Sequence, residues 1–166
     1  MADEPAPAAP EDRQLQVAQE TLAELLRKMK IAAQVMARWG EPEADGEERA
    51  LILDVQGDDL SMLIGRRGET LSALQHITRA IVAKVLHGGP NLIVDVQGYR
   101  ERRAEQLRRL ARRMAEQAVQ RGRTMALEPM PPDERRLIHL ELRDHPQVRT
   151  ESVGEGDRRK VTIIPK

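Results

Sequence analysis

From Arg13 to about Lys30 the apolar positions Leu15, Ala18, Leu22, Leu25, Leu26 and Met29 recur mostly at steps of three and four, the period of an amphipathic helix. Ile31 to Trp39 alternates weakly and reads as a strand, closed by the breaker Gly40-Glu41-Pro42. An acidic loop, Glu41 to Glu48, leads into a second strand, Ala50-Leu51-Ile52-Leu53-Asp54-Val55. Asp58-Asp59 stands ahead of Leu60, Met62, Leu63 and Ile64, which reads as an acidic helix start opening a short apolar helix. Gly65-Arg66-Arg67-Gly68 interrupts it. Leu71, Leu74, Thr78, Ile81 and Val85 then form a helical stripe that stops at His87-Gly88-Gly89-Pro90. Asn91 to Gln97 reads as a third strand, and Gly98 closes a unit in the order helix, strand, strand, helix, helix, strand.

A second pattern starts at Tyr99. Ala104, Leu107, Ala111, Met114 and Ala118 step by three and four along a helix whose other faces carry Arg100, Arg102, Arg103, Arg108, Arg109, Arg112 and Arg113. After Gly122, a short extended piece, Thr124 to Leu127, runs into Pro129-Met130-Pro131-Pro132. Asp133 to Asp144 reads as a helix stopped by His145-Pro146. Val148 to Val153 and Arg159 to Ile164, joined through Gly154-Glu155-Gly156-Asp157, predict a terminal hairpin. At the other end, residues 1–12 hold Pro5, Pro7 and Pro10 among alanines and acids, the composition of a disordered tail. The pattern therefore divides the chain into a tail over 1–12 and two small α+β units over 13–98 and 99–166.

The charge pattern follows the same division. Lys plus Arg and Asp plus Glu each number 27, a net charge of zero that hides an asymmetry. Residues 1–63 carry 6 basic and 14 acidic groups, residues 64–127 carry 13 and 5, and residues 128–166 carry 8 of each. An acidic entry followed by a basic middle points to an anionic partner. The absence of cysteine excludes disulfides, iron–sulfur clusters, Cys-based zinc sites and thiol nucleophiles. No apolar run approaches the roughly 18 to 20 residues that span a bilayer, so a protein of the cytoplasm without membrane insertion is expected.

Two constellations carry candidate chemistry. In Gly65-Arg66-Arg67-Gly68 the glycines let a ligand backbone come close, N–H groups of the following helix start face outward, and two arginines add charge for phosphate. Ile64 stands just ahead of this turn. No G-x-x-x-x-G-K-[ST] occurs, so a triphosphate-binding loop is excluded. In the second, at about 100° per residue with Arg135 at 0°, His139 falls near 40°, Arg143 near 80° and Arg136 near 100°, one basic stripe. Leu137, Ile138, Leu140 and Leu142 occupy the remaining surface, on which the helix is expected to pack. Arg135 and His139, one turn apart, offer two donors, the histidine when protonated. His76, His87, His139 and His145 show no H-x-x-x-H spacing, and neither a metal site nor a cofactor is expected.

The run Leu63-Ile64-Gly65-Arg66-Arg67-Gly68-Glu69-Thr70-Leu71 with Leu74-Gln75, continued by Asp95-Val96-Gln97-Gly98-Tyr99-Arg100, resembles the KH domain of the bacterial Jag (SpoIIIJ-associated) family. Pro129-Met130 and Glu134-Arg135-Arg136-Leu137-Ile138-His139 resemble the R-3-H module, with Arg135 and His139 at its two namesake positions. The resemblance covers roughly residues 13–166 and lacks a counterpart of the family's N-terminal domain. It implies a type II KH domain followed by an R-3-H domain, and a non-enzymatic protein binding single-stranded RNA, with single-stranded DNA as the alternative ligand. The implied contacts are Ile64, Gly65, Arg66, Arg67 and Gly68 in the first domain and Arg135, Arg136 and His139 in the second. The Arg-rich helix from 100 to 123 would join them electrostatically. Near absence of aromatic residues fits a reader that grips backbone rather than stacking bases. The other function in view is an adaptor whose KH-like surface takes another KH-domain protein or a second copy.

Overall fold

The computed structural model describes residues 10–42 and 48–166, so the expected disordered tail falls outside it as far as residue 9, as does most of the acidic loop after Pro42. The chain divides into two compact units, Met1–Tyr99 and Arg100–Lys166. The first contains α1 (Pro10–Lys28), β1 (Gln34–Trp39), β2 (Leu51–Gln56), α2 (Ser61–Ile64), a 3-10 turn (Arg66–Gly68), α3 (Glu69–Val85) and β3 (Leu92–Val96). This is the expected α-β-β-α-α-β order. Helix α1 starts earlier than its apolar stripe, because Pro10, Glu11 and Asp12 suit a first turn: proline lacks the N–H that would go unbonded there, and acids favour the positive end of the helix dipole.

The strands form a sheet ordered β1-β2-β3, with β1 antiparallel and β3 parallel to β2. Alternation sets the core. Leu51, Leu53 and Val55 of β2 lie level with Leu92, Val94 and Val96 of β3, and all six are buried. Ala18, Leu22 and Leu26 of α1, and Leu71, Leu74 and Val82 of α3, complete this core with Leu60 and Leu63. The stripe expected on α3 is partly corrected: Leu71, Leu74 and Thr78 are buried, but Val82 takes the next place, and Ile81 and Val85 are exposed with Ile77. The buried Thr78 hydroxyl donates to the Leu74 carbonyl at 2.8 Å; left unbonded it would cost about 1–3 kcal/mol.

Both outer strands have side chains bonded to their backbone. Gln19 donates to the Val35 carbonyl of β1 at 2.9 Å. On β3, Gln75 accepts from the Val94 N–H and Arg79 donates to the Leu92 carbonyl, each at 2.9 Å. Trp39, at the end of β1, is half-buried with the Arg49 guanidinium 5.3 Å from its ring centre.

The second unit comprises α4 (Tyr99–Arg121, beginning one residue before the division), β4 (Met125–Ala126), α5 (Pro132–Glu141), β5 (Val148–Val153) and β6 (Lys160–Pro165), with a sheet ordered β4-β6-β5. Its strands pair antiparallel, and β5 with β6 is the expected hairpin. Leu107, Ala111, Ala115 and Ala118 of α4 meet Ile138, Leu142, Val148, Val161 and Ile163 in one core. Ala115 takes the place expected for Met114, which packs at the edge, and Ala104 is only half-buried. Of the four apolar residues expected to pack from this helix, Leu142 is buried just past the end of α5 and Leu140 is exposed rather than packed. No helix among the described residues is long and apolar enough to cross a membrane.

Candidate nucleic-acid interface

The turn between α2 and α3 owes its shape to two glycines used in different ways. Gly65 has φ +70° and ψ −171°, a conformation essentially confined to glycine. A Cβ there would also lie 2.1 Å from Thr70 Oγ1. Arg67 and Gly68 follow in the left-handed region, at φ +53° and +80°, and a Cβ on Gly68 would meet the Tyr99 ring at 3.0 Å. Both glycines are thus demanded from inside the unit, by Thr70 and Tyr99. Neither partner was assigned a role from sequence, although both lie in the quoted family runs.

Gly68 caps α3 without a side-chain hydrogen bond, so the helix start keeps its positive dipole end uncovered by a cap side chain. Arg66 is exposed and has no carboxylate partner among the described residues, whereas Arg67 and Ile64 are half-buried, Ile64 against the core. The acids expected to start α2 do not do so. Leu60 holds the N-cap position, and Asp59, at φ +46°, accepts from the Ser61 hydroxyl at 2.9 Å from outside the helix.

In the second unit the helix α5 is set by what precedes it. Pro131 is its N-cap and Pro132 opens its first turn, and the Arg135 N–H bonds the Pro131 carbonyl at 3.0 Å. Glu134, buried in that first turn, receives two bonds from Arg103 of α4, at 2.7 and 2.9 Å. This planar fork fixes the rotation of α5. It thereby settles which side chains of α5 face β5.

Between α5 and β5 lies a groove of about 570 Å³ whose lining includes Arg135, Arg136, His139, Arg143, Thr150 and Ser152. Lys166 and Arg149 add charge at its margin; Arg149 is paired with Glu151. Arg135, Arg136, Arg143 and Lys166 have no carboxylate partner among the described residues, though Arg135 Nε donates to the Met130 carbonyl at 3.2 Å. The expected basic stripe is present and has a wall opposite it.

His139 departs from the sequence expectation of a free donor. Its Nδ1 lies 2.6 Å from Thr150 Oγ1 and its Nε2 lies 2.8 Å from Ser152 Oγ, so both ring nitrogens are engaged. Burial, and after it the charge of Arg135, hold the imidazole below its ordinary range. The arginines of α4 are also less available than their number implied. Arg103 pairs with Glu134, Arg108 with Glu101 and Glu105, Arg109 with Glu105, and Arg112 with Glu141. Close carboxylates neutralise much of the expected field of that helix. Among the described residues no group of three or more His, Asp or Glu could hold a metal ion.

The description "KhpA/KhpB, KH domain" matches residues 19–96, and "R-3-H domain" matches residues 105–165. A protein of Clostridium symbiosum named RNA-binding protein KhpB is 36% identical over 147 residues, 89% of this chain and 64% of its own. The Bacillus subtilis protein of the same name is 31% identical over 140 residues, 83% of this chain and 67% of its own. That of Lactiplantibacillus plantarum is 37% identical over 123 residues, 73% and 38% of the two chains. The chain thus spans about two thirds of the length of the first two relatives and less of the third. With a KH domain followed by an R-3-H domain, and relatives that match it over most of its length, this chain belongs to the KhpB, or Jag, family.

Proposed function

We propose that the chain binds single-stranded nucleic acid, RNA in the first place, by two grips on the sugar–phosphate backbone. One grip belongs to the KH domain over 13–98. There Gly65 and Gly68 shape the turn, Arg66 and Arg67 meet phosphate, the start of α3 adds its dipole, and Ile64 borders an apolar floor. The other belongs to the R-3-H domain over 99–166, where Arg135, Arg136 and the His139 neighbourhood meet a second stretch of backbone. A cytoplasmic location accords with that ligand.

The observation that carries this reading is the groove. Four cations without acidic partners converge there, although carboxylates pair with Arg103, Arg108, Arg109 and Arg112 on α4. Uncompensated positive charge held in a concave site is what a polyanion requires. The name of the relatives, RNA-binding protein, supports RNA as the polymer.

Fluorescence anisotropy with a single-stranded RNA and a DNA of matched sequence tests it. Arg66→Asp/Arg67→Asp and Arg135→Ala/Arg136→Ala, each shown to be folded, are expected to weaken binding separately and to act together in the quadruple variant. Absence of binding by the folded wild type to either strand would overturn the reading.

A second reading is favoured by one feature, the exposed apolar stripe Ile77, Ile81 and Val85 on α3, at 49%, 37% and 48% exposure. Such a stripe suits another protein, a second KH domain above all. Sizing with and without nuclease, in the wild type and in Ile81→Glu, separates protein association from bridging by RNA.

A further inference from the structure

The cations of the groove meet phosphate whatever sugar carries it, so they cannot tell RNA from DNA. That distinction needs a neutral group able to bond the ribose 2′-OH, which both donates and accepts. Among the side chains lining the groove, the neutral hydrogen-bonding groups are His139, Thr150 and Ser152. Both nitrogens of His139 are already bonded, to Thr150 Oγ1 at 2.6 Å and Ser152 Oγ at 2.8 Å.

Thr150 and Ser152 are alternate residues of β5, on the same face as buried Val148, and the strand changes from apolar to hydroxyl as it leaves the core. Their positions are roughly 6–7 Å apart along the strand, enough to meet two different groups of one nucleotide. A neutral imidazole has one N–H and one bare nitrogen. Whichever nitrogen carries the proton, one hydroxyl accepts from the ring and keeps its own proton to give outward. The other donates to the ring and turns its lone pairs outward. The pair therefore offers one donor and one acceptor from fixed positions.

We propose that Thr150 and Ser152 are the sugar-reading contacts of the groove, selecting RNA over DNA through the 2′-OH, and that His139 is the positioning residue that orients their hydroxyls. The inference rests on the groove being a nucleic-acid site. In this arrangement the donor hydroxyl gives a hydrogen bond to a 2′-oxygen, and the acceptor hydroxyl accepts one from a 2′-O–H. His139 touches no nucleic acid itself.

The test is the ratio of RNA to DNA affinity, measured by anisotropy on the full chain with strands of A, C and G only, so that thymine methyl groups do not enter. The wild type is expected to favour RNA by a few-fold to about tenfold, the range of one or two hydrogen bonds. Thr150→Val/Ser152→Ala should bring the ratio close to one by weakening RNA binding more than DNA binding, and Thr150→Ser, which keeps the hydroxyl, should retain it. His139→Ala should lower the ratio in the wild-type background and have no further effect where both hydroxyls are gone, because a residue acting through others shows no independent contribution. His139→Gln serves the same cycle should the alanine variant unfold.

A wild type that does not discriminate, a ratio that survives loss of both hydroxyls, or additive losses in the cycle would each overturn the inference while leaving nucleic-acid binding intact. Unchanged affinity for both strands in folded Arg135→Ala/Arg136→Ala would instead overturn the groove as a site, and the inference with it.

Discussion

At the turn 65–68 the main chain is the instrument: two glycines adopt conformations that Thr70 and Tyr99 leave no room to vary, and the exposed cation is Arg66. In the groove between α5 and β5 the candidate contacts are side chains, and they come from two elements held in place by a third through Arg103 and Glu134. A grip made of backbone depends on its own few residues. A grip made of side chains depends on how distant segments pack, so the two should fail for different reasons.

The largest expected effect follows from that dependence. Glu134→Ala removes the buried carboxylate that receives two bonds from Arg103, and should destabilise the second unit by about 3 kcal/mol, read by denaturant melting. Binding through the groove should fall with it, while the effect of Arg66→Asp/Arg67→Asp on binding remains. Next is Gly65→Ala, which places a Cβ against Thr70 in a glycine-only conformation and should cost the first unit about 2 kcal/mol. Gly68→Ala, in the more tolerant left-handed region, should cost about 1 kcal/mol. Equal costs at the two positions would contradict the distinct constraints described for them.

A smaller effect belongs to charge alone. Arg66→Ala should weaken binding at low salt by up to about tenfold, or about 1.4 kcal/mol, with no change in melting. The slope of log affinity against log salt should become shallower by about 0.7, the contribution of one phosphate on a single strand. An unchanged slope would remove Arg66 from the contact.

The smallest effect concerns His139. Burial and the Arg135 charge lower its pKa in the folded protein, so the unfolded chain binds more protons. The stabilisation is complete above the ordinary value of 6.5 and is lost as pH falls from there through the folded value. Melting of the second unit between pH 8 and pH 5 should show a modest loss that His139→Gln abolishes. A stability that rises on acidification would reverse the sign argued here.

The strands were readable because LILDV and LIVDV are short runs bounded by breakers, and the two helices around the glycine turn were readable from their stops. Helix faces were harder. On α3, residues 74, 78 and 82 and residues 77, 81 and 85 are both spaced for one face, and Thr78 looks no more buried than Ile81 until its hydroxyl finds the Leu74 carbonyl. Asp58-Asp59 resembled a helix start since acids favour that place, but the positive φ of Asp59 turns the chain before Leu60. The basic stripe of α5 was visible as periodicity. Its wall was not: the engagement of His139 with Thr150 and Ser152, and of Arg103 with Glu134, joins residues 11 to 31 positions apart through packing that local pattern does not encode.

The bonds from Gln19 to β1 and from Gln75 and Arg79 to β3 have a consequence for crowding. A three-stranded sheet with bare margins is a template on which a neighbour can lay a further strand, the first step toward aggregation. Here groups that a neighbouring strand would need are already taken by the unit's own helices. Where copies of the chain stand at high local concentration, these glutamines and this arginine oppose their fusing edge to edge.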